Sequence, residues 1–270
     1  DIWFTASGSN QNIDSGWLGR ALDLKYPNYP TAYPSTDMPD PLAIQIGSTL
    51  PFSLQGPHIN MGYSAPDPNA LLNVINGVAD PAPDSDYGHE LTFLRLMKDQ
   101  SNEYIKVIQK AYNVPLTTSV IYPKNNKLAD QLKIVAKLIN GGLKSPIYIV
   151  NHPNSHDTHS AQVNTTDKTQ GAQATNLTLL SQAIGAFQQD LETMGKSDSV
   201  SGMTFSEFGR RIKSNSSQGT DHGAAAPVLF FGSMLNTSSQ VKKTMYPVTG
   251  MIGKSPNLPL NAGVSDQVEM

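Results

Sequence analysis

Two segments between His89 and Asn140, HELTFLRLMKDQSNEYIKVIQKAYN (89–113) and KLADQLKIVAKLIN (127–140), carry apolar residues at three- and four-residue spacing in a helix-favouring composition. The second stops at Gly141-Gly142, the residue type that most often ends a helix. PIYIV (146–150) follows, short, β-branched and aromatic, and reads as a buried strand. Downstream, NLTLLSQAIGAFQQDLETMG (176–195) reads as an amphipathic helix, and VSGMTFSEF (200–208) and PVLFFG (227–232) as strands. Helix and strand in alternation, with polar residues just past the C-terminal end of each strand, is the pattern of an open α/β sheet, which binds ligands at the carboxyl ends of its strands. The link from 209 to 226 lacks a crossover helix, so PVLFFG is expected to run antiparallel to its neighbour.

Upstream, SGWLGRALDLK (15–25) reads as a short helix with Ser15 as cap, followed by the proline-rich surface segment YPNYPTAYPSTDMPDP and a strand over PLAIQIG (41–47). Residues 56–88, rich in Pro, Gly, Asn and Asp, read as a long loop of the kind that tends to be functional. ASGSN (6–10) reads as a turn, because it lacks the strand-before, helix-after context of a phosphate cradle. No internal repeat is visible, and 235–270 is weakly patterned. The 270 residues are expected to form a single domain.

Charge and composition exclude several classes. A net charge of -3 and a pI near 6.1 argue against holding nucleic acid or anionic membrane by bulk electrostatics. The absence of cysteine removes disulfides, thiolate nucleophiles and Cys-ligated zinc. No apolar run is long enough to span a bilayer.

Scarce charge collects in two places. His152, His156 and His159 fall within eight residues, and FSEFGRRIKSNSSQGTDHG (205–223) carries Glu207, Arg210, Arg211, Asp221 and His222. In extended backbone, residues i and i+2 share a side, so Asp157 and His159 can present a carboxylate and an imidazole to one ion. Such a ligand set suits zinc, manganese or iron without choosing among them. Capping of a loop or helix by the DTHS sequence is the competing reading for that pair. His152 and His156 read as ordinary loop residues. Glu207 is open to three roles: metal ligand, cap of the next turn, or ion-pair partner of Arg210 or Arg211. No nucleophile elbow, P-loop or dinucleotide fingerprint occurs. The Asn-x-Ser/Thr sequences at Asn164, Asn176, Asn215 and Asn236 carry meaning only in a eukaryotic secretory setting.

DIWFTASGSN…SGWLGRALD, SHDTHSAQ, TFSEFGRRIKSNSSQGTDHGAAAPVLFFG and SDQVEM together resemble successive blocks of the bacterial family catalogued as domain of unknown function 1501, within the alkaline phosphatase-like superfamily. The resemblance implies a three-layer α/β/α sandwich with one or two divalent metals, acting on a phosphate or sulfate ester. It also implies export to the periplasm or exterior. By the match, His222 would be a metal ligand, Glu207 would replace an Asp ligand, and Asp157 and His159 would correspond to a preceding Asp…His pair at shorter spacing than usual. Phe208 stands where a His ligand is expected, and a phenyl ring cannot coordinate. Asp221 joins the candidate ligands, and Arg210 and Arg211 are candidates to hold the anion, since guanidinium matches such oxygens bidentately. The family's upstream strand and Gly-Gly-Asn-Asp-Gly segment, where the first Asp ligand and nucleophile would be sought, precede residue 1. The chain is therefore expected to be an interior piece of a longer polypeptide, an incomplete copy lacking the first strand. The contrasting expectation is a non-catalytic surface or assembly protein that keeps the fold around a degenerate site.

Overall fold

The computed structural model describes residues 2–8, 10–71, 80–223 and 228–233. SDQVEM, the rest of the segment beyond 234, and most of ALLNVING lie outside the described residues. The chain divides into two compact units, Asp1–Thr117 with Gln131–Asn151, and Thr118–Asp130 with His152–Met270.

In the first unit, α1 (Ile2–Thr5) and α2 (Trp17–Lys25) precede β1 (Ala43–Gln45), which is flanked by β2 (Tyr63–Ser64) and β3 (Ile147–Ile149) in a parallel sheet of order β2-β1-β3. Ile44 aligns with Tyr63 on one side and Tyr148 on the other. All three residues of β1, the polar Gln45 included, are buried, as expected of a central parallel strand covered on both faces. Leu22, Leu42, Ala43, Leu54, Met61 and Ile149 form the core beside it. Gly19 lets α2 lie against the neighbouring turn: a Cβ there would meet the Gln55 carbonyl oxygen at 2.2 Å. The helix α3 (Asp86–Tyr112) opens on Ser85, whose hydroxyl accepts from the Gly88 N–H at 3.2 Å. It buries Tyr104, Ile105, Ile108 and Ala111 at the spacing that marks it in the sequence.

Helix α4 (Lys127–Asn140) keeps the bounds read from its periodicity, with its first turn in the second unit and the rest in the first. Asn126 caps it by accepting from the Ala129 N–H at 3.1 Å, and Gly142 leaves it at φ 88°.

In the second unit, α5 (Ala172–Thr193) buries Ala183, Phe187 and Leu191. Tyr122 donates to the fully buried Asp190 carboxyl at 2.8 Å. The unit's described residues also form two short antiparallel ribbons: β4 (Gly202–Met203) with β7 (Phe230–Phe231), and β5 (Gly209–Arg210) with β6 (His222–Gly223).

This is a mixed α/β fold with open sheets, and the antiparallel sense expected for PVLFFG is found in the β4–β7 pair. Four expectations are corrected. The segments around 200–232 do not extend the parallel sheet but pair among themselves in separate ribbons. The strand expected over 200–208 shortens to two residues, because Phe205–Phe208 turns away to reach β5. The loop expected over 56–88 contains β2, which has only two residues and therefore too little alternation to read. Ser15 does not cap α2 either: Gly16 occupies the cap position, and Ser15 accepts Arg20 through its carbonyl at 2.6 Å.

Buried phenols make the fold sensitive to alkali. Burial pushes the Tyr29 hydroxyl up to about 12 and raises those of Tyr104, Tyr122 and Tyr148 further still. An unfolded chain ionises its tyrosines near pH 10, releasing protons that the folded chain retains. Stability should be full below pH 10 and fall as pH rises from 10 through 12. Urea midpoints measured across that range, with tyrosinate absorbance recorded alongside, check this; a flat midpoint up to pH 12 contradicts it.

Candidate metal centre

All residues of the site belong to the second unit. The segment His156–Gln162 runs beside the link between β5 and β6: the N–H groups of Ala161 and Gln162 donate to the carbonyls of Ser217 (3.1 Å) and Gln218 (2.9 Å), and Thr220 N–H donates to Thr158 O (3.3 Å). Thr158 is buried while Asp157 and His159 on either side are exposed, and the two ligand side chains meet on the open side although the chain makes a tight turn here, with Thr158 N–H donating to His156 O at 2.9 Å. Strand β6 brings His222 to the same place.

Ligand atoms of Asp157, His159 and His222 all lie within 4.8 Å of one another, forming a candidate metal-binding triad. Asp157 Oδ1 is the centre: His159 Nε2 stands 2.9 Å away, His222 Nε2 2.8 Å and Arg210 Nη2 2.7 Å. The hydrogen bond from His222, with the charges of His159 and Arg210 beside it, holds the Asp157 carboxyl below its ordinary range. The three ligand side chains are between 42% and 49% exposed, which leaves a face open to solvent and substrate.

The donor set fits a divalent ion. Two imidazoles and a carboxylate match zinc, iron or manganese, with open positions remaining. His159 lies between two carboxylates, with Nδ1 3.3 Å from Asp221 Oδ1 and Nε2 2.9 Å from Asp157 Oδ1. A neutral ring donates to one of them only. Ligand atoms held tetrahedrally at about 2.1 Å from a metal lie roughly 3.4 Å apart, so each imidazole nitrogen would draw back from Asp157 Oδ1 by about half an ångström to admit an ion.

Asp221 stands behind His159 rather than in the triad, the arrangement in which a carboxylate on the far nitrogen orients a metal-binding imidazole. The hydrogen bond from Asn215, and then that from His159, lowers the Asp221 carboxyl. Glu207 is exposed in the bend between β4 and β5 and is not among the converging ligands. Phe208 stacks on His222 with centroids 4.1 Å apart and an 8° interplanar angle, so the ring that cannot coordinate fixes the plane of one that can. Both terminal nitrogens of Arg210 are engaged by protein acceptors: Nη1 donates to Thr220 O, and Nη2 to Asp157 Oδ1 and to His156 O, each at 2.7 Å. Arg211 is exposed beside Asp221 and helps lower its carboxyl. The His152 and His156 rings lie 4.9 Å apart, and burial, with His152 adjacent, pushes His156 down. Neither belongs to the triad.

Two supporting residues were not singled out for this role by the sequence. Asn215 donates through Nδ2 to His159 O (2.9 Å) and Asp221 Oδ1 (3.0 Å) while its Oδ1 accepts from Ser217 and Gly219 N–H groups. Gly219 allows the close approach, because a Cβ there would lie 2.2 Å from the His159 carbonyl. The turn-forming run SNSSQG was the available signal for both.

Fold and site together define a mixed α/β protein with a candidate His/His/Asp metal centre. A family model described as "Protein of unknown function (DUF1501)" matches residues 86–244, and the chain belongs to that family. No curated protein and no solved structure matches it significantly. No helix among the described residues is long and apolar enough to cross a membrane.

Proposed function

We propose that the chain is part of an exported, periplasmic or extracellular metal-dependent hydrolase of alkaline phosphatase-like architecture, acting on a phosphate or sulfate ester. The observation that carries this reading is the convergence of His159 Nε2 and His222 Nε2 on Asp157 Oδ1 at an exposed face. A divalent ion bound there would polarise the ester as a Lewis acid and lower the pKa of a hydroxyl or water. Asp157, His159 and His222 hold the ion. Asp221 accepts from His159 Nδ1–H and so leaves Nε2 free to ligate, and Asn215 keeps Asp221 in place. Phe208 holds the His222 ring in plane. With Glu207 outside the cluster and Phe208 offering no lone pair, these residues support one ion rather than two.

Phe208, which offers no lone pair where the family resemblance expects a His ligand, favours a second reading, a non-catalytic assembly protein around a site that has lost part of its ligand set. One experiment separates them. The purified chain and its His159→Ala variant are equilibrated with Zn²⁺, Mn²⁺ or Fe²⁺ in turn, then analysed for metal and assayed on aryl phosphate and aryl sulfate. The hydrolase reading expects one ion per chain, lost in the variant, and ester turnover that follows the ion. Stoichiometric metal without turnover favours the assembly protein, and metal-free samples of both chains refute the centre itself.

A further inference from the structure

Arg210 occupies a position that an anion receptor would not need. It lies on β5, opposite His222 in register, and its guanidinium reaches three acceptors on two other segments. Nη1 takes the carbonyl of Thr220, two residues before His222, while Nη2 takes the carbonyl of His156 and the Oδ1 of Asp157. The first acceptor belongs to the strand-side segment that carries Asp221 and His222. The other two belong to the segment that carries Asp157 and His159. The side chain is 18% exposed and its Nε is buried without a partner, so the planar group is turned inward to where the two segments meet.

We infer that Arg210 is a positioning residue that braces the two ligand-bearing segments of the triad against each other, rather than a holder of the substrate anion. This inference rests on the metal-centre reading of Asp157, His159 and His222. An sp² carboxylate oxygen has two lone pairs: the guanidinium takes one of those on Asp157 Oδ1 and leaves the other for an ion between the imidazoles. The rigid fork satisfies a backbone carbonyl on each segment at once, which the point charge of a lysine ammonium does not reproduce. Two opposing effects of the same side chain therefore have opposite signs. As a fixed positive charge beside the ligand oxygen, Arg210 would weaken cation binding; as a brace, it strengthens binding by keeping the ligands together. The geometry points to bracing as the larger effect, because two of its three contacts hold the backbone framework and only one touches a ligand atom.

The test uses Co²⁺ titration of the whole chain, followed by its visible absorption, for the wild type and for Arg210→Lys, Arg210→Ala and His159→Ala. Bracing predicts that Arg210→Lys, which keeps the charge, weakens Co²⁺ binding by roughly 10–100-fold, the range typical of outer-shell partners, and alters the ligand-field bands. Unchanged or tighter binding in folded Arg210→Lys and Arg210→Ala, with wild-type bands, overturns it. Failure of the wild type to bind Co²⁺ more tightly than His159→Ala would instead remove the metal-centre reading. A readout independent of metal covers that case and any variant that does not fold: ¹⁵N spectra of the wild-type Arg210 side chain. Slowed rotation about the Cζ–Nη bonds supports a guanidinium pinned on both sides, and freely averaged Nη signals refute the brace.

Discussion

Asp157→Ala should abolish binding of the divalent ion proposed for the triad. Three nitrogens meet Asp157 Oδ1 at 2.7–2.9 Å, two of them from the other members of the triad and one from Arg210. Removing the carboxylate takes away a ligand and also the negative charge that lets two imidazoles and a guanidinium share so small a space. The loss should therefore exceed the roughly 10–100-fold weakening that outer-shell changes produce. Asp157→Asn, which keeps an acceptor oxygen of similar size but no charge, should fall between alanine and wild type. Competition with a chromogenic chelator measures all three. Wild-type affinity and stoichiometry in Asp157→Ala would mean that the ion, if any, sits elsewhere.

The second large effect is on stability. Leu54 is fully buried in the core beside β1, at the end of a short 3₁₀ turn whose carbonyl accepts from the Met61 N–H at 2.9 Å. That turn also lies against Gly16 at the start of α2, where a Cβ would come within 2.1 Å of Phe52 O, so the surroundings are held by backbone and have little freedom to collapse into a vacancy. Leu54→Ala should destabilise the fold by about 2–5 kcal/mol, the range for large-to-small changes at closed core sites. Urea unfolding followed by circular dichroism measures it, and a loss below about 1 kcal/mol would show that the site relaxes.

Local features were legible where one segment alone decides them. The α4 bounds follow from apolar spacing and the Gly-Gly stop, whereas Asp157 and His159 converge through a tight turn at Asp157 rather than through the period of two expected of an extended chain. The length of β4, the existence of β2 and the grouping of the strands into three sheets were not legible, because pairing depends on partners distant in sequence and two-residue strands carry no periodic signal.

The site shows the same division among its residues. Composition and spacing marked out histidines and carboxylates that could take part, and family resemblance narrowed them to Asp157, His159, Glu207, Asp221 and His222. Nothing in the order of residues separates Glu207, exposed in a bend, from His222, or tells that Asp221 supports His159 from behind. Those roles arise from the register of β5 with β6 and from the seam that Asn215 and Gly219 close against His159. Side-chain chemistry is a property of single residues and can be read from their letters. Distance between groups about sixty positions apart is a property of the folded chain, and over a few ångströms it decides which carboxylate meets an imidazole.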